Sequence, residues 1–108
     1  VAGLKQINKA FEYIERNYPL QITLKDISQA AGFSEYYFSR LFKEYTGQSF
    51  LNYLNTYRVK QAAKLLKSTE RSILEIAMDS GFNSLTTFNR IFRKIKGCSP
   101  SYYRKAGI

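Results

Sequence analysis

The chain has 108 residues, 44% of them hydrophobic, with eight Phe and nine Tyr; that is enough for one packed domain, or two very small ones sharing a long element, and too aromatic for a disordered tail. It has no histidine and a single cysteine, Cys98, which excludes an internal disulfide, Cys/His zinc sites and nucleophile–histidine catalysis. The formal charge is +9, with 6 basic and 5 acidic side chains in residues 1–54 against 11 and 3 in residues 55–108, an excess that favours an anionic polymer or surface as partner.

Helical periodicity runs through the whole chain. A first helix is predicted over about 4–17, with Leu4, Ile7, Ala10, Phe11 and Ile14 on one stripe, and "NYPL" ends it because the residue before Pro19 disfavours the helical region. Thr23 is an N-cap with Asp26 in capping-box position. The short helix behind it, 24–31, ends at Gly32. Ser34 caps a helix over 35–46 that Gly47 closes. Ser49 starts a long helix over 50–67, with Tyr53, Leu54, Tyr57, Ala62, Leu65 and Leu66 as its apolar positions. Ser72 and Glu75 make a second capping box for a helix over 72–80, closed by Gly81. Asn83 or Ser84 caps the next, 85–96, closed by Gly97. Ser99 followed by Pro100 opens a last helix near 100–105. The fold class expected is all-α, with seven helices.

The chain also repeats itself. "GFSEYYFSRLFKEYTG" at 32–47 returns as "GFNSLTTFNRIFRKIKG" at 81–97. Ile27 pairs with Ile76, Gly32 with Gly81 and Phe33 with Phe82; after one inserted residue Phe38 pairs with Phe88, Arg40 with Arg90, Phe42 with Phe92, Lys43 with Arg93 and Ser49 with Ser99. Two short helices joined by a tight turn containing glycine form a helix-turn-helix, so the expected organisation is one such subdomain in 1–49, a linker helix in 50–67 and a second subdomain in 68–108. Phe33 is expected to plug the angle between its two helices. On the helical wheel Phe38, Leu41, Phe42 and Tyr45 form the core side of 35–46, and Phe88, Ile91, Phe92 and Ile95 that of 85–96. The opposite sides carry Tyr36, Ser39, Arg40 and Lys43 in one copy and Thr86, Asn89, Arg90 and Arg93 in the other, with Lys94 at the flank.

Those outward sets suit DNA. Arginine donates two parallel hydrogen bonds to guanine and asparagine does the same for adenine, while Thr86 and Tyr36 offer apolar surface to thymine methyls. Lys43, Arg93, Lys94 and Lys96 lie further along, where phosphates are the expected contacts. An 18-residue linker is about 27 Å long, against about 34 Å between successive major-groove segments on one face of DNA.

On "ITLKDISQAAGFSEYYFSRLFKEYTGQSFLNYLNTYR" at 22–58 and "ILEIAMDSGFNSLTTFNRIFRKIKGCSPSYYR" at 73–104, the chain resembles the DNA-binding domain of AraC/XylS-type bacterial transcription regulators. The resemblance implies two helix-turn-helix subdomains whose recognition helices, 35–46 and 85–96, enter neighbouring major grooves of promoter DNA. It places base contacts at Tyr36, Ser39, Arg40, Leu85, Thr86, Asn89 and Arg90. It implies transcription activation or repression in the cytoplasm, RNA polymerase as a further partner, and an N-terminal effector or dimerisation domain, which Val1 in place of an initiator Met also fits.

Other readings are open to the residues themselves. A helical protein-interaction module would turn the same basic face to an acidic partner. Catalysis is not expected without histidine, a metal-ligand cluster or a glycine-rich phosphate loop; Glu75 and Asp79 are better read as cap and surface than as an acid–base pair. No metal or cofactor is expected. No run approaches the roughly 20 apolar residues that span a bilayer, the first residues carry no signal-peptide pattern, and no membrane partner is expected. Cys98 is read as an incidental small residue, Tyr102 and Tyr103 as packing residues of the second subdomain, and Arg104 and Lys105 as facing phosphate or solvent.

Overall fold

The computed structural model describes residues 3–107. Among them are seven helices and no strand: α1 (Leu4–Asn17), α2 (Leu24–Ala31), α3 (Glu35–Thr46), α4 (Phe50–Ser68), α5 (Ile73–Asp79), α6 (Leu85–Lys96) and α7 (Pro100–Ala106). They fall into two compact units, Val1–Leu54 and Asn55–Ile108. The division coincides with the change from nearly balanced to strongly basic sequence.

The starts of α2 to α7 follow from side-chain caps. A helix leaves its first N–H groups without partners, and an oxygen at the N-cap supplies one. Thr23 Oγ1 accepts from the Asp26 N–H at 3.0 Å while the Asp26 carboxylate accepts from the Thr23 N–H at 3.2 Å. Ser72 and Glu75 repeat the box at 3.0 and 3.1 Å. Single serine caps start four more helices: Ser34, Ser49, Ser84 and Ser99 accept from the N–H groups of Tyr37, Asn52, Thr87 and Tyr102. Ser84 rather than Asn83 is thus the cap of α6. Ser72 stands outside α5, which stops at Asp79 with Ser80 as its C-cap, so this helix is two residues shorter than its periodicity predicts.

The two turns are the same object. Gly32 and Gly81 take φ of +82° and +99°, the left-handed region that a Cβ disfavours. That geometry lets the glycine N–H reach Gln29 O in one copy and Met78 O in the other, both at 3.1 Å. The next N–H, of Phe33 or Phe82, reaches back to Ser28 O at 2.9 Å or Ala77 O at 3.0 Å.

In the first unit α1 packs on α2 and α3. Ile7, Ala10 and Ile14 are buried with Ile27, Ala31, Phe38, Leu41, Phe42 and Leu54. Phe42 is the hub: its ring lies 5.4 Å from Phe38, 5.9 Å from Phe11 and 5.3 Å from Tyr53, the last edge-on. In the second unit Val59, Ala62, Ala63 and Leu66 of α4 pack with Ile76, Ala77, Phe82, Phe88 and Phe92. Phe92 meets Phe88 at 5.5 Å and Tyr103 edge-on at 5.4 Å. The repeat therefore extends past Ser49 and Ser99 to Tyr53 and Tyr103, which close the two cores in the same way.

Four predicted core positions differ. Leu4, at the first turn of α1, is 41% exposed and Tyr45, in the last turn of α3, is 37% exposed, since element ends leave the core before the periodicity does. Phe33 is only half-buried, against Tyr37, whereas its counterpart Phe82 is buried against Phe88. Tyr102 is 61% exposed and Tyr103 does the packing. Conversely, Arg58 of α4 is buried, and loss of hydration draws its guanidinium below the ordinary value.

Phe42 and Phe92 are both completely buried, so Phe42→Ala and Phe92→Ala are each expected to cost about 3–5 kcal/mol of stability, read from urea unfolding. The two capping-box carboxylates are held below their ordinary values: Asp26 by its hydrogen bonds from Thr23, side chain first, and Glu75 by those from the Ser72 backbone and hydroxyl. Folding thus favours their ionised forms. Their contribution is complete above the unfolded-chain values and is lost as pH falls through the lowered folded ones. The melting temperature is expected to drop on acidification below about pH 4, and the double variant Asp26→Asn/Glu75→Gln to show a shallower drop; an identical profile would remove these caps from the acid response.

Candidate nucleic-acid interface

Each unit presents one helix whose inner side is locked and whose outer side is free. In α3 the locking residues are Phe38 and Phe42, both fully buried, with Leu41. One helical turn apart, they fix the rotation of the helix about its axis. Tyr36, Ser39, Arg40 and Lys43 consequently all lie exposed. In α6 the same work is done by Phe88 and Phe92, and Leu85, Thr86, Asn89, Arg90, Arg93, Lys94 and Lys96 lie exposed. Every candidate contact residue read from the two exposed helices is therefore on an accessible surface of its own unit.

The two surfaces differ in chemistry. On α3, Glu35 and Glu44 are exposed beside Arg40 and Lys43. On α6 there are four cations and no acid, and three of the four stand in the last turns. The acids of the second unit, Glu70, Glu75 and Asp79, all precede α6; Asp79 pairs with Arg71 and Glu75 caps α5. The cationic side of α6 is thus not neutralised by any ion pair among the described residues.

Two side chains are held in ways the sequence did not reveal. The Arg40 guanidinium stands 5.9 Å from the centre of the Tyr36 ring, one turn before it. The Lys96 ammonium stands 5.7 Å from the Tyr103 ring, which also takes the Lys67 ammonium at 4.7 Å, so Lys96 leans toward α7 on the flank of α6. The sequence reading also passed over Tyr37, 47% exposed and edge-on to Phe33 at 4.9 Å. The signal that could have found it is the aromatic at 37 where the second copy has Thr87.

Arg104 is a correction. Its Nε donates to Leu66 O at 3.0 Å and its terminal nitrogen to Thr69 O at 3.2 Å. These carbonyls belong to the end of α4, where a helix has acceptors without partners. A cation there also meets the negative end of the helix dipole. Arg104 is half-buried and closes α4 instead of facing phosphate. Lys67 braces the same junction by donating to Tyr103 O at 2.6 Å. Among the described residues no group of three or more His, Cys, Asp or Glu could hold a metal, and no helix is long and apolar enough to cross a membrane.

Residues 27–106 match the family described as a helix-turn-helix domain, and the match takes in both turns and both exposed helices. The chain belongs to the AraC/XylS-type helix-turn-helix family. Among curated relatives, the transposon Tn10 TetD protein of Escherichia coli is 40% identical over 93 residues, 86% of this chain and 67% of that protein. An uncharacterized HTH-type transcriptional regulator of Staphylococcus aureus is 34% identical over 92% of this chain, which spans only 13% of that regulator. Among solved structures, the C-terminal domain of AraT, a response regulator from Geobacillus stearothermophilus, superposes with a TM-score of 0.91 at 33% identity, covering 98% of this chain and 88% of that one. The DNA-binding domain of AdpA, a global transcriptional factor solved with a target DNA, gives 0.87 at 32% identity, covering 94% and 90%. Family and fold of this AraC-type domain are those of DNA-binding transcription regulators rather than of enzymes.

Arg104→Ala is expected to lower stability by about 1.5–3 kcal/mol, the range for hydrogen bonds made by a charged group, while leaving duplex binding by the folded protein unchanged. Denaturation and a binding titration run side by side would check this; lost affinity at full folding would return Arg104 to the interface.

Proposed function

We propose that this AraC-type domain binds double-stranded promoter DNA in sequence-specific fashion, with α3 and α6 in neighbouring major grooves, and thereby regulates transcription in a bacterial cytoplasm. The observation that carries the reading is the register of the two exposed faces: Tyr36, Ser39, Arg40 and Lys43 stand where Thr86, Asn89, Arg90 and Arg93 stand in the second unit, each set fixed outward by a buried phenylalanine pair. Two surfaces of one stretch of chain, equal in register and bearing guanidinium, amide and hydroxyl groups, suit a partner that is itself periodic. The AdpA domain, similar over nearly the whole chain, was solved with a target DNA.

In this reading Tyr36, Ser39, Arg40, Leu85, Thr86, Asn89 and Arg90 meet base edges. Lys43, Arg93, Lys94 and Lys96 meet phosphates and supply most of the sequence-independent affinity. The stretches 1–49 and 68–108 act as the two reading subdomains and 50–67 as the spacer; α4, at 19 residues, is about 28 Å long, a length suited to the groove repeat of about 34 Å. RNA polymerase is the further partner through which binding alters transcription, as activator or repressor, and an N-terminal effector or dimerisation domain completes the regulator.

The test is a titration of the whole chain against its selected site and random duplex over a range of salt. Arg90→Ala is expected to cost about 1–3 kcal/mol on the selected site and to relax choice at one base pair. Arg93→Ala is expected to weaken both duplexes alike and to reduce the salt slope by about 0.9. Absence of any duplex retardation at moderate salt would overturn the reading in favour of an acidic protein partner.

A further inference from the structure

The two arginines at equivalent positions are not equivalent in structure. Arg40 has an aromatic ring one turn before it, with its guanidinium 5.9 Å from the Tyr36 centroid. Arg90 has Thr86 at that place, and no ring stands over its guanidinium among the described residues. Both arginines and both preceding residues are exposed, so the difference does not come from packing in the core. Tyr36 is 74% exposed, which leaves its ring available to the guanidinium rather than to the hydrophobic interior.

An arginine side chain carries large rotamer entropy, and a bidentate contact to guanine requires the guanidinium plane in one orientation. A cation held over a ring face has part of that freedom removed before binding. We propose that Tyr36 is a positioning residue for Arg40: it aims the guanidinium in advance, so that the first unit reads its guanine stringently while Arg90, without such a ring, reads its own position tolerantly. This rests on the DNA-binding reading above and goes beyond it, because it assigns unequal selectivity to two arginines that the repeat makes look alike. It also gives Tyr36 a role through its ring instead of its hydroxyl.

The experiment uses the whole chain and binding to a library randomised over the selected site. Arg40→Ala and Arg90→Ala first identify which base pair each arginine reads. Tyr36→Ala is then expected to lower discrimination at the Arg40 base pair by about two- to five-fold, the size of an exposed cation–π contact, in addition to any loss at the base pair the Tyr36 ring itself meets, with the positions read by the second unit unchanged. Tyr36→Phe, which keeps the ring, is expected to retain discrimination. Thr86→Tyr is expected to raise discrimination at the Arg90 base pair. Helicity by circular dichroism checks that each variant is folded, which the exposure of both positions favours. The proposal is overturned if Tyr36→Ala leaves the Arg40 position as selective as before, if its loss is spread evenly over all positions, or if Tyr36→Phe behaves like Tyr36→Ala, the mark of a hydroxyl contact. A wild-type chain that selects no site at all would instead sink the DNA-binding reading itself.

Discussion

The burial of two phenylalanines one turn apart, Phe38 with Phe42 and Phe88 with Phe92, is the constraint from which the exposed chemistry follows. A short helix resting on a single apolar residue could roll about its axis at little cost. Two rings spaced four residues apart define a line along the helix, and burying that line leaves one rotation. The polar residues opposite are then aimed without needing any contacts of their own. This is why Arg90, Arg93 and Lys94 can stand without an ion pair among the described residues and still be directed.

Around that constraint the backbone is held by small, local chemistry. The turn glycines, the serine and threonine caps and the closing glycines recur in both copies, often with matching bond lengths. Several side chains away from the buried rings vary between copies: Tyr36 becomes Thr86, Tyr37 becomes Thr87, and Ser39 becomes Asn89. What recurs, apart from the outward Arg40 and Arg90, is what shapes the unit. What varies lies on the outer face of the helix, where a change in side chain alters what is recognised without disturbing how the unit folds.

Much of this was legible in the sequence because local signals and the hydrophobic period agreed. Helices 24–31, 35–46 and 85–96 have the bounds that their caps and glycines indicate, helix 4–17 has those that its apolar stripe and Pro19 indicate, and the outward placement of the candidate residues followed from the positions of the buried rings. The illegible parts depend on contacts across long stretches of chain. Nothing near Arg104 in sequence shows that it will close a helix ending 36 residues earlier. Nothing in the pattern of α4 marks Arg58 as buried, since periodicity places a charged residue on the surface by default. Tyr102 and Tyr103 are identical in type and adjacent, and only the position of Phe92 decides which of them packs. The cation–π geometry of Tyr36 and Arg40 depends on rotamers, which spacing permits but does not dictate.

The closure of α4 by Arg104 bears on where the chain can be cut. The internal repeat suggests that a minimal fragment could end at Gly97, after the second exposed helix. A boundary placed there would strip the Leu66 and Thr69 carbonyls of their donor, the Arg104 guanidinium, and remove Tyr103 from its place against Phe92. The autonomous piece is thus longer than the duplicated motif, and its proper end lies beyond residue 104.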